Sequence, residues 1–247
     1  VELRGVKWLR CLTVCGLGAA LALLPAVCLA DPTLNERPPL SLVMFGSLDL
    51  GPPKSQAGLG FKFAIGGRGL DASGFRLGFA TADSTEPLRR RPDQGRLYRT
   101  ETSTMLGYEW RIDNSFLAVS LGQQVDAVYA VWGPFKAFEQ RLGPRIQLDL
   151  WLAPSPDMVL QFHAFGIGGR GSRSGGRLSV GWRLRRRLFL GPEVEAFGER
   201  DYYKVRTGLQ LSGIELFGTS WRISVGRQKT SEKKSATYAT LGLHWHR

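Results

Sequence analysis

Few side chains in this sequence combine the type and spacing that chemistry requires. There are three histidines, His163, His244 and His246. His244 and His246 share one face of an extended segment, as a metal pair would. No acidic or cysteine partner can be placed beside them, so they read as polar lining and no metal is expected. His163 would act as a general base only beside a serine and an orienting carboxylate, and the sequence identifies neither, so no catalytic residue is assigned. The run Gly166-Ile167-Gly168-Gly169-Arg170-Gly171 satisfies G-x-G-x-x-G. No helical pattern follows it and no acidic residue stands at dinucleotide spacing, so a hairpin loop explains the glycines and no cofactor is implied. What remains is charge at alternating positions: Glu109 and Arg111, Arg145 and Asp149, Glu193 and Glu195, Lys204 and Arg206. The last four fall on neighbouring segments and would face one another, and Arg145 and Asp149 are expected to face Glu109 and Arg111. Two chemistries suit such a set. One is a cross-strand ion-pair network that rigidifies or plugs a narrow barrel. The other is a hydrated lining that guides a sugar chain, with Trp151 as the stacking surface. Ion pairing is the stronger reading, because closely paired charges leave few donors for a passing ligand.

These residues sit on segments with a period of two. In 56–65, Ala57, Leu59, Phe61, Phe63 and Ile65 share one face, while Gln56, Gly58, Gly60 and Lys62 share the other. Thr104, Leu106, Tyr108, Trp110 and Ile112 oppose Glu101, Ser103, Gly107, Glu109 and Arg111 in the same way. So do Ile146, Leu148, Leu150 and Leu152 against Arg145, Gln147, Asp149 and Trp151. Segments of about ten alternating residues are the length of tilted membrane-spanning strands. Charges on one face of so many strands cannot share a dry core, whereas a barrel with lipid outside and water inside accommodates them. The pattern predicts an all-β fold: a transmembrane antiparallel up-and-down β-barrel of twelve strands. They are placed at 40–50, 55–66, 74–81, 98–112, 115–126, 142–153, 158–167, 177–184, 188–198, 202–212, 220–227 and 236–246. An even count leaves both termini on the periplasmic side. Short turns are then expected there, at 111–115, 153–157 and 185–187. Longer extracellular loops are expected at 82–97, 126–141, 168–176 and 227–235. Trp110, Trp182, Trp221 and Trp245 fall near the periplasmic ends and Tyr98 and Tyr203 near the outer ends, two interfacial girdles. A soluble sandwich or lipocalin-like barrel would also alternate, but with shorter strands and an apolar interior.

The first thirty residues read as a secretion signal. Arg4, Lys7 and Arg10 form a basic start, an apolar run follows, and Pro25 precedes small residues at a cleavage site after Ala30. All three cysteines, Cys11, Cys15 and Cys28, lie inside it, so the exported chain carries no disulfide. The division expected is signal peptide 1–30, periplasmic lead 31–39 and outer-membrane barrel 40–247. Net charge is +12 over the whole chain, and removing the signal leaves it strongly positive. An exported protein without a nucleic-acid-binding motif is not expected to meet nucleic acid. Basic loops facing the phosphates of outer-membrane lipids fit better.

Several phrases are specific. Gly191-Pro192-Glu193-Val194-Glu195-Ala196-Phe197-Gly198, followed by Gly208-Leu209-Gln210-Leu211-Ser212-Gly213-Ile214, resembles the cellulose biosynthesis S family, the BcsS proteins of Gram-negative bacteria. Phe45-Gly46-Ser47-Leu48-Asp49, Gly69-Leu70-Asp71-Ala72-Ser73-Gly74-Phe75 and Trp151-Leu152-Ala153-Pro154-Ser155-Pro156 extend the likeness over most of 40–247. The resemblance implies an outer-membrane barrel that takes part in making or exporting bacterial cellulose, with the export apparatus or the glucan chain as partner. It supplies no catalytic residue. A general small-solute channel and an outer-membrane esterase are the alternative functions.

Overall fold

The computed structural model describes residues 41–52, 54–88, 91–200, 202–231 and 235–246. The expected signal peptide and lead lie outside these, as do Arg89, Arg90, Lys233 and Lys234 of the basic loops. Twelve strands follow in order: β1 (Leu42–Leu50), β2 (Ser55–Ile65), β3 (Gly74–Leu88), β4 (Arg91–Ile112), β5 (Ser115–Trp132), β6 (Phe135–Ser155), β7 (Met158–Ile167), β8 (Arg173–Arg185), β9 (Leu188–Glu199), β10 (Tyr202–Leu216), β11 (Thr219–Thr230) and β12 (Ser235–His246). Each pairs antiparallel with its sequence neighbours, and β1 closes on β12 from Val43↔His246 to Leu50↔Ala239. Closure leaves no free edge, so strand backbone groups are satisfied within the sheet, as a bilayer demands.

The barrel is inside out relative to a soluble one. Leu106, Leu121, Leu142, Ile146, Leu209 and Val225 are exposed on its outer wall, while Glu109, Asp126, Arg173, Glu193 and Arg206 are buried within. The fold is therefore a transmembrane barrel, and the faces follow the sequence alternation. On β6 the outward row Leu142, Pro144, Ile146, Leu148, Leu150 and Leu152 is uniformly apolar. Its length, at about 3.4 Å per residue and a tilt near 40°, gives a belt about 25 Å tall, the height of a bilayer core.

Both the start of β1 and the end of β12 lie at one rim, here the terminal rim. Turns there are tight, with Asp113 (φ 51°), Arg186 (φ 42°) and the Phe217-Gly218 pair (φ 53° and 72°) in left-handed conformations. At the far rim the structure corrects the sequence reading. The loops expected at 82–97 and 126–141 continue as strand, to Leu88 and from Arg91, and to Trp132 and from Phe135. Beyond the apolar belt the sheet stands in water, so ladder hydrogen bonds persist after apolar alternation has faded. Gly133 (φ 56°) turns the second of these hairpins. Likewise β8 begins inside the loop expected at 168–176, and β11 extends into that expected at 227–235.

Candidate functional site

The lumen gathers the charged residues into three groups. Near the terminal rim, Glu109 is fully buried (0 % exposed) and held by Lys62 Nζ at 2.8 Å, Arg111 Nε at 2.6 Å and Arg76 Nη2 at 3.6 Å. Arg76 also donates to the carbonyl oxygens of Leu70 and Ala72, fastening the β2–β3 connection across that end of the wall. Lys62 and Arg111 both lie over the Phe116 ring, 5.3 Å from its centroid.

The second group crosses the far half of the lumen. Arg173 on β8 is 1 % exposed and meets Asp126 on β5 through both guanidinium nitrogens, one at 2.8 Å from Oδ1. Its Nη2 lies 3.2 Å from Glu101 on β4. Glu101 also has Lys54 and Arg99 at 3.9 Å each. Arg99 then reaches Glu199 on β9 with two contacts of 3.3 and 3.4 Å. β4 and β9 are five strands apart in a ring of twelve, so this pair spans nearly the whole diameter. From Asp126 a hydrogen-bonded chain descends: Gln124 donates to Asp126 (2.7 Å), Arg145 to Gln124 (2.6 Å) and Gln147 (3.0 Å), and Gln147 to Asp149 (2.8 Å). It ends where Asp149 Oδ1 lies 2.6 Å from His163 Nδ1.

The third group lines β8 to β12 and β1. Arg206 donates to Asp49 Oδ2 (2.7 Å), Asp49 Oδ1 (3.0 Å) and Gln228 (3.0 Å), and its guanidinium lies 4.6 Å from the Tyr238 ring centroid. Lys204 and Arg206 flank Glu195 at 3.1 and 3.5 Å. Glu193 is paired instead with Arg222 at 2.9 Å and Arg177 at 3.9 Å.

The residues named from the sequence therefore face the lumen, but not always one another. Lys204, Arg206 and Glu195 meet as expected, while Glu193 turns to Arg222. Arg145 and Asp149 do not pair with Glu109 or Arg111: Arg145 is taken up by Gln124 and Gln147, Asp149 by Gln147 and His163, and Glu109 by Lys62, Arg76 and Arg111. Trp151 shares the inward face of β6 and stands opposite Phe116 and Gln161. The absence of a carboxylate beside His163 is also corrected: Asp149 orients its ring. Among the described residues no serine hydroxyl hydrogen-bonds that ring. Trp110, Trp182, Trp221 and Trp245 each lie close to the terminal-rim end of their strand, and Tyr203 lies at the far rim. Tyr98 is well inside β4, which overshoots the belt. Of the residues that cross the lumen, Arg99, Glu101 and Asp126 fall inside the strands expected at 98–112 and 115–126 and share their alternation, in Arg99-x-Glu101-x-Ser103 and Gln124-x-Asp126, whereas Arg173 falls in the loop expected at 168–176 and Glu199 just past the strand expected at 188–198.

Over residues 43–247 the chain matches the family described as cellulose biosynthesis protein BcsS. It belongs to that family. No curated protein matches the chain. Solved structures with a similar fold include the transport unit of the autotransporter AIDA-I from Escherichia coli. It shares 12 % identity over 93 % of this chain and 97 % of that one, at a TM-score of 0.47. The translocator domain of the autotransporter NalP from Neisseria meningitidis shares 11 % identity over 96 % of each chain, at 0.49. LpxR from Salmonella typhimurium shares 12 % over 82 % of this chain and 99 % of that one, at 0.49.

Proposed function

We propose that this BcsS-family barrel is a non-enzymatic outer-membrane accessory of cellulose biosynthesis that braces or anchors the export apparatus and does not conduct the polymer. In this reading residues 1–30 are a signal peptide, 31–39 a periplasmic lead and 40–247 the barrel, with the terminal rim in the periplasm and the tryptophans and tyrosines anchoring the two interfaces. The observation that carries the closed-bore reading is the Arg99–Glu199 pair across the lumen, backed by Arg173 between Asp126 and Glu101. Paired charges at this density leave neither the width nor the free donors that a glucan strand would need.

The test compares secreted and periplasmic cellulose in a producing strain with and without the gene, alongside single-channel recording of the purified barrel. Loss of secreted polymer with an electrically silent barrel supports the proposal. Unchanged cellulose in both pools overturns the accessory role, and a steady open conductance favours a small-solute channel. The Asp149–His163 contact keeps one further reading testable: labelling by a serine-reactive probe that is abolished by His163→Ala would establish an esterase.

A further inference from the structure

The outer wall recedes where β6 to β9 approach the far rim. There a groove of about 620 Å³ opens, within the range of about 300–1,000 Å³ typical of ligand pockets. Leu121, Ile146, Pro144 and Gly166 give it an apolar floor, Ser172, Ser174 and Arg200 line it as well, and Arg145 and Arg173 border it with guanidinium groups already engaged in the lumen. Its height follows from the strands. Ile146 lies on the outward row of β6 about two-thirds of the way up the apolar belt, whose last member is Leu142. Arg200 is the turn residue just after β9, beyond the outward row Val194, Ala196 and Gly198 and ten residues past Leu190. By the same rise and tilt that places it about 25 Å above the bottom of the belt, at the hydrocarbon boundary. The groove thus lies in the acyl region and its cation at headgroup level.

Charge decides what such a groove takes. Arg200 is exposed and makes no ion pair among the described residues. Arg227 and Lys229 are exposed at the same rim on β11, with side chains on the outward row that includes Ile223 and Val225. An apolar floor beneath unpaired cations at the boundary complements an acyl chain that carries a phosphate. A free phosphate would leave the floor empty, and a neutral lipid would offer Arg200 no anion.

We infer that this groove binds one phosphate-bearing lipid from the leaflet at the far rim, one acyl chain lying along Ile146 and Gly166 and the phosphate against Arg200. In the orientation proposed above this is the outer leaflet. The site rests on the transmembrane fold and is independent of the cellulose reading. A structural lipid bound here fills a recess in the wall that faces its bilayer.

Two variants probe the two ends. Arg200→Gln removes the charge. Gly198→Leu fills the groove, and it does so without a clash because a Cβ at 198 meets nothing within 4 Å. Ser174→Leu is a second filling variant, and Arg185→Gln at the terminal rim is the charge control. Full-length barrels are extracted in mild detergent, their folding checked by heat-dependent gel mobility. Co-purified lipid is then counted by native mass spectrometry and phosphorus assay. The wild type and Arg185→Gln should retain about one phosphate lipid per barrel, and Arg200→Gln and each folded filling variant should lose it by about tenfold or more. Absence of retained lipid in the wild type overturns the inference. So does retention unaffected by the variants, loss that follows charge alone, or equal loss in the Arg185 control.

Discussion

Replacing Arg173 should reveal how much of this barrel's stability resides in its polar interior. The guanidinium is 1 % exposed, with Asp126 (7 %) and Glu101 (19 %) around it. Arg173→Met keeps a chain of similar reach and deletes the charge, leaving two carboxylates facing each other in a low-dielectric space. Breaking a buried pair from one side typically costs about 3–5 kcal/mol. Here the loss is moderated, because Asp126 keeps the Gln124 amide at 2.7 Å and Glu101 keeps Lys54 and Arg99 at 3.9 Å. A cost of about 3 kcal/mol follows, and at a denaturant slope of about 1–3 kcal/mol per molar urea the midpoint should fall by roughly 1–3 M. Tryptophan fluorescence of barrels refolded into vesicles reads the midpoint directly. The double variant Arg173→Met/Asp126→Asn removes both charges, and a coupling of about 2 kcal/mol between the sites is expected. A single-variant cost below about 1 kcal/mol, the level of an exposed pair, would refute the buried network. Additivity between the two sites would do the same.

Other consequences follow from single contacts. Arg99→Ala or Glu199→Gln removes the cross-lumen pair and should convert an electrically silent barrel into one with resolvable conductance steps in planar bilayers. Continued silence in both would place the closure elsewhere. A Cβ at position 60 would lie 2.3 Å from the Phe45 ring and 2.9 Å from the Phe79 carbonyl oxygen, so Gly60→Ala should destabilise by about 1–3 kcal/mol. Adding Phe45→Ala should recover part of that loss, and urea midpoints of the single and double variants decide it. Phe217 is 98 % exposed at φ 53° before Gly218, a turn position that favours asparagine. Phe217→Asn should therefore stabilise by about 0.5–1 kcal/mol, read as a higher temperature of the gel-mobility shift. Unchanged or lower stability would mean that Phe217 makes a contact at the membrane interface worth more than its backbone strain.

Strand count, closure and facing were legible because a membrane barrel writes the same two-residue period into every spanning segment. Leu142 to Leu152 on β6 and Glu109 on β4 could be assigned to opposite faces without coordinates. Strand ends at the far rim were not legible, because the signal used was apolar alternation and that depends on lipid. On β3 the outward row passes from Phe75, Leu77 and Phe79 to Thr81, Asp83 and Thr85 while the ladder with β4 continues from Phe79↔Thr104 to Glu86↔Leu97. A strand in water needs backbone partners and no particular side chain, so its sequence reads as loop.

Lumen partners were the least legible, for a geometric reason. Sequence spacing identifies neighbours on adjacent strands, which is why Lys204 and Glu195 could be paired. Closure in addition brings together strands that are distant in order, as with Arg99 and Glu199, or Arg206 and Asp49 across the β1–β12 seam. Barrel tilt then decides which rung of one strand stands level with which rung of another, and it sends Glu193 to Arg222 on β11 and not to the rungs beside it on β10. The same geometry couples the pairs. Arg173 joins β8 to both β5 and β4, and Arg99 joins β4 to β9, so these strands cannot move apart without several pairs parting together. A wall that has invested its charges in mutual contacts across its own lumen is built to keep its shape, as the brace proposed above requires.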